Sequence, residues 1–181
     1  MNMNKTWRTA LAVAGMALVT GLPTAAVAAE PGVYVGLSLG KADGSGPAYK
    51  EGADPSVGLA VGYRINDQLA VEGFTRELSF IRFPEIFGSP DAYRIPDRHM
   101  GLAVEGTLAL SEGWGVYGRA GIGRTKRVGS TTGQRLDTVT DPTLGAGLRY
   151  GMGGGWAFKL GAERHGKSKV NAYYLAFQYQ F

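Results

Sequence analysis

The chain has 181 residues, with 19 basic and 15 acidic side chains and no cysteine. So slight an excess of positive charge argues against a nucleic-acid surface. Without cysteine, neither a disulfide framework nor a thiolate metal site can form.

In chain order, Lys5 and Arg8 precede an apolar run over residues 10–22, and Ala26-Val27-Ala28-Ala29 supplies small residues for cleavage. This pattern predicts a secretory signal peptide over 1–29, cut between Ala29 and Glu30, because the apolar run is too short to span a bilayer. Residues 30–181 are then one domain. Losing Lys5 and Arg8 leaves seventeen bases against fifteen acids. No later segment offers the ~18 apolar residues that a membrane helix needs. A membrane form must therefore be a closed barrel, since open sheet edges are not tolerated in lipid.

Eight segments alternate apolar with small or polar residues, the period of a strand with two unlike faces. They cover residues 33–41, 56–65, 69–80, 98–110, 114–124, 143–150, 156–164 and 170–181. In the third, Leu69 and Val71 begin an apolar face that Phe74 interrupts, so a bulge near Gly73 is expected to restore the register. Short connections at 66–68, 111–113 and 151–155 interleave with longer ones at 42–55, 81–97 and 125–142, and a short one follows at 165–169. Tight turns on one rim and long loops on the other are the pattern of an outer-membrane barrel.

The face opposite the apolar residues carries Gly36, Gly40, Gly58, Gly62, Gly101, Gly121, Gly123, Gly145, Gly147 and Gly161. Glycine weakens strands, and the tightly curved inner wall of a small barrel explains so many on one side. Tyr63, Trp114, Tyr150, Trp156, Tyr179 and Phe181 share the apolar parity and lie near short turns or the last residue. Outward-facing aromatics at one end form an interfacial girdle, which favours a membrane barrel over a soluble one that hides its bulky face inside.

The last segment, VNAYYLAFQYQF, puts Tyr173, Leu175, Phe177, Tyr179 and Phe181 on one face. At ~3.3 Å per residue it is long enough to cross a bilayer obliquely. With Phe181, Tyr179 and Phe177 at alternate positions, it resembles the closing strand of the outer-membrane β-barrel family. The resemblance implies that this strand is read by the barrel-assembly machinery. The whole of 33–181 is similar to the eight-stranded transmembrane domain of the outer membrane protein A family. It implies an all-β, eight-stranded antiparallel up-and-down barrel, integral to the cell outer membrane and monomeric. The sequence departs from that family in lacking the periplasmic peptidoglycan-binding domain, so cell-wall anchoring is not expected.

With the apolar face outward, the lumen receives Arg64, Glu72, Arg76, Glu105, Arg119, Arg149, Lys159 and Glu163. An eight-stranded barrel is just wide enough to be filled by side chains, and buried charges must pair. An ion-paired plug is expected, with a narrow or gated pore as the alternative. The other alternative is a lipid A-modifying barrel enzyme. Family deacylases carry a His-X-Ser pair followed by a carboxylate in the last strand. Here His165 precedes Ser168 by three positions, and 170–181 contains no acid. A Ser-His pair without its orienting acid is a weak nucleophile site, so no catalytic residue is assigned and His165 is read as an exposed loop residue. His99 has no evident second ligand, so no metal site or cofactor is expected.

The loops are left to carry specificity. Residues 81–97 hold Phe83, Phe87 and Tyr93 among Pro84, Pro90 and Pro96, the candidate contact for a surface ligand. Lys126, Arg127, Arg135, Arg164, Lys167 and Lys169 gather in the third and fourth loops, where the phosphates of lipopolysaccharide would meet them. Asp137, Asp141 and Glu163 lie near enough in sequence to neutralise them. The expected role is structural or surface-interacting.

Overall fold

The computed structural model of the chain describes residues 31–44, 54–78, 94–129 and 135–181. The segment 1–29 lies outside the described residues. So do Phe83, Phe87 and Tyr93 with Pro84 and Pro90.

Eight strands follow one another: β1 (Gly32–Gly44), β2 (Asp54–Arg64), β3 (Leu69–Glu77), β4 (Arg94–Ser111), β5 (Trp114–Gly129), β6 (Arg135–Gly153), β7 (Trp156–His165) and β8 (Val170–Gln180). Each pairs antiparallel with its neighbour in sequence, and β1 pairs with β8 from Tyr34↔Gln180 to Gly44↔Val170, closing the barrel. Closure gives every strand a neighbour on both sides, which is what lets a sheet cross hydrocarbon. The outward parity is apolar: Val33, Leu59, Val71, Leu102, Ile122, Leu144, Leu160 and Leu175 are all exposed. The core is the lumen itself, and its buried residues include many charged and polar side chains. That inversion of a soluble core is the signature of a barrel solvated by lipid.

Aromatic pairs fix the short-turn end. Trp114 sits opposite Tyr150 and Trp156 opposite Tyr179, each pair with ring centroids 4.8 Å apart. Tyr179 and Phe181 stack edge-on at 5.0 Å. At the tight β4–β5 turn, Gly113 has φ of 87°, a conformation side chains rarely adopt.

Two expectations are corrected. No bulge occurs at Gly73, which pairs in unbroken register with Val61 and Leu102. Gly73 simply occupies an outward position, and Phe74 turns into the lumen, where it is nearly buried. The register needs no repair because an apolar ring has a use inside: Arg119 stacks on it at 4.0 Å. The second correction concerns strand length. β4, β5 and β6 run well past the apolar alternation, with Lys126↔Thr138 and Arg127↔Asp137 still paired. Backbone pairing does not require an apolar face, and Thr125, Val128, Thr138, Val139 and Thr140 favour extended backbone. Pro96, which cannot donate to the ladder, sits at a register shift of β4.

Candidate functional site

The lumen is where the strands concentrate polar chemistry. Inward positions alternate along every strand, so β3, β4, β5 and β7 deliver Glu72 with Arg76, Glu105, Arg119, and Lys159 with Glu163 to one interior. Arg119 Nε donates to Glu72 Oε1 at 2.6 Å, and its Nη1 makes a very short contact with Glu163 Oε2. Tyr34 donates its hydroxyl proton to the other oxygen of Glu72 at 2.7 Å. Lys159 Nζ straddles both oxygens of Glu105 at 2.6 and 2.7 Å. Arg76 reaches Glu163 only at 4.0 Å and lies over the Tyr174 ring at 4.2 Å. Every member of this group is less than a tenth exposed.

Two of the expected partners stand apart. Arg64 donates to Gln180 at 3.0 Å and makes no ion pair among the described residues. Arg149 is half-buried, and its Nε is buried without a hydrogen-bond partner among the described residues. The set expected from sequence held five bases and three acids, so full pairing within it was never available.

The tyrosines of the lumen escaped the sequence reading. Tyr34, Tyr117 and Tyr174 are buried, and Tyr117 donates to the Tyr174 hydroxyl at 3.1 Å. Lys159 lies 5.1 Å above the Tyr117 ring. Their signal was the glycine face: a Cβ on Gly62 would strike the Tyr34 ring, and one on Gly161 would strike the Tyr117 hydroxyl and the Tyr174 ring. These glycines make room for rings. A cavity of about 50 Å³ remains beside Gly36, Ser38 and Gln178, room for a few waters.

At the loop end, the basic residues separate by face. Arg124, Arg164, Lys167 and Lys169 are exposed, and Lys126 is half-exposed on the outward parity of β5. Arg135 is also exposed and donates to Thr138 at 2.8 Å. Lys126 and Arg135 therefore lie on strands and not in a loop. Arg127 is on the inner parity, 3.8 Å from Asp137. Arg124 was missed because it ends an apolar segment. Asp141 and Glu163 are buried in the lumen and do not neutralise the outer bases.

His165 is not an exposed loop residue. It ends β7 on the inward parity, is fully buried, and meets His99 with ring centroids 4.7 Å apart. Asp141 completes the group from β6, accepting hydrogen bonds from the Lys167 amide at 2.6 Å, the Ser168 amide at 3.0 Å and the Thr125 hydroxyl at 3.1 Å. An acid absent from the last strand thus stands near His165 on β6, the neighbour of β7. Even so, the Ser168 hydroxyl and both His165 nitrogens lack hydrogen-bond partners among the described residues, so the Ser-His link of a nucleophile is not formed.

The sequence profile described as outer membrane protein beta-barrel domain matches residues 11–181. The chain belongs to that family. It is an integral outer-membrane protein with an eight-stranded barrel of the outer membrane protein A type. Among curated proteins, none matches the chain. Solved structures share the family fold at low identity. The N-terminal barrel of OprF from Pseudomonas aeruginosa superimposes with a TM-score of 0.59 at 13% identity, covering 84% of this chain and 100% of that one. Neisserial surface protein A gives 0.55 at 13%, covering 86% and 100%. The attachment invasion locus protein Ail of Yersinia pestis gives 0.52 at 20%, covering 83% and 97%. The last has also been solved with the heparin analogue sucrose octasulfate.

Proposed function

We propose that this protein is a non-enzymatic envelope barrel whose lumen is plugged by its own side chains and whose outer rim holds lipopolysaccharide. The observation that carries the plug is Arg119, buried between Glu72 and Glu163 and stacked on Phe74. A cation in that position joins three walls of the barrel at once. The lumen-facing position of His165 speaks against a lipid-modifying enzyme, whose base would have to face the membrane.

The rim reading rests on Arg124, Lys126, Arg164, Lys167 and Lys169, which face outward or cap the β7–β8 turn with no acid partner among the described residues. Arg135 extends the patch. Clustered guanidinium and ammonium groups bind phosphate oxygens through charge-assisted hydrogen bonds, and lipopolysaccharide presents phosphates at that height. Replacing Arg124, Lys126, Arg164 and Lys169 with Gln should weaken lipopolysaccharide binding by the folded protein and flatten its dependence on salt. Unchanged affinity and salt dependence would reduce the patch to ordinary surface charge.

Within this reading, residues 1–29 are a cleaved export signal and the mature barrel works as a monomer. The outward ladder Tyr173, Leu175, Phe177, Tyr179 and Phe181 is the segment handled by the assembly machinery. Removing Phe181 should deplete the protein from the outer membrane, while Gln180→Ser should not. Equal outer-membrane levels of the two variants would refute the assembly role.

A further inference from the structure

The chain has two histidines, carried by different strands, and the fold brings them into contact. His99 on β4, Asp141 on β6 and His165 on β7 each offer a ligand atom, all within 4.8 Å of one another and all buried. Histidines that meet only to pack would satisfy their ring nitrogens with hydrogen-bond partners. Instead His99 Nε2 and both nitrogens of His165 are buried without one among the described residues.

The surroundings orient the free lone pairs. Thr125 donates its hydroxyl proton to Asp141, so the 2.8 Å contact between Thr125 Oγ1 and His99 Nδ1 has the ring as donor. The proton therefore sits on Nδ1, and Nε2 carries the lone pair. His165 Nε2 lies 3.3 Å from Glu163 Oε1, an oxygen with no hydrogen-bond partner of its own. A small ring rotation lets Nε2–H donate there, leaving Nδ1 as the ligand atom. Imidazole with its far nitrogen held by a carboxylate or hydroxyl is the arrangement that metal-binding histidines adopt. Asp141 accepts three hydrogen bonds, and a carboxylate has about four lone-pair positions, so one remains.

We propose that His99, His165 and Asp141 bind a divalent first-row transition-metal ion at the loop end of the lumen. Two imidazoles and a carboxylate suit zinc, cobalt or nickel, and such a set leaves a coordination position for water. A bound ion would tie β4, β6 and β7 together where the barrel leaves the membrane.

The test uses the untagged, folded protein in detergent micelles, stripped with chelator and titrated with Co²⁺ and Zn²⁺. The expected result is one equivalent bound, with cobalt ligand-field bands that vanish in His99→Ala and in His165→Ala. Thr125→Val, which only loosens the orientation of His99, should weaken binding about 10-fold or more. Because the wild-type chain has only two histidines, its ring NMR signals provide a check that needs no variant: both should move together on adding one equivalent of Zn²⁺. Absence of saturable binding by wild type overturns the site. So does binding that leaves both ring signals unmoved, or that survives in a folded variant carrying both His99→Ala and His165→Ala.

Discussion

The middle of the lumen and its loop end are both buried and polar, yet they treat their charged groups in opposite ways. In the middle, Arg119 and Lys159 are each matched to carboxylates at hydrogen-bonding distance and stacked on Phe74 or Tyr117. At the loop end, the rings of His99 and His165 meet edge to face, and His99 Nε2 and both nitrogens of His165 have no hydrogen-bond partner among the described residues. A group whose bonding capacity is used within the protein holds the protein together. One whose capacity is left open, though shielded from water, is poised for a ligand. The proposed metal site rests on that difference.

The sharpest way to break this comparison is to remove the cation at its centre. Arg119→Gln leaves Glu72 and Glu163 buried without their main partner, which should cost about 3–5 kcal/mol of folding stability in a urea titration of the detergent-folded barrel. Arg98 makes its pair with Glu77 in partial contact with water, its side chain 44% exposed. Arg98→Gln should therefore cost less than about 1 kcal/mol. Equal losses would mean that burial of the Arg119 pairs is not what matters.

A smaller effect sharpens the account of lumen packing. Gly161→Ala forces a methyl into the Tyr117 hydroxyl and should cost about 1–3 kcal/mol. Gly36→Ala meets only ordinary contacts, the nearest at 3.6 Å, and opens onto the lumen cavity. It should be neutral or stabilise by up to about 1 kcal/mol, since it restricts the unfolded chain. The same titration decides, and a reversed order would show that the glycines serve backbone curvature and not ring accommodation.

Much of this barrel was legible because membrane strands advertise one face. The alternation at Val33, Val35, Leu37 and Leu39, or at Tyr173, Leu175 and Phe177, is imposed by lipid on one side and a crowded lumen on the other. Where lipid ends, so does the signal: β5 continues through Lys126 and Arg127 to Gly129 with pairing but no hydropathic pattern. Phe74 misled because an apolar residue was assumed to face lipid, although a cation needs a ring inside. His99, Asp141 and His165 all fall on inward parity, which sequence could show. Their common height along the axis depends on the register of three separate strand pairs, and no local pattern encodes it.

The central claim is that mutual pairing of Glu72, Glu105, Glu163, Arg119 and Lys159 closes the lumen. Planar-bilayer recording from the purified wild-type protein tests it most directly. The account predicts no steady conductance. A stable, ion-selective current from the folded barrel would contradict it.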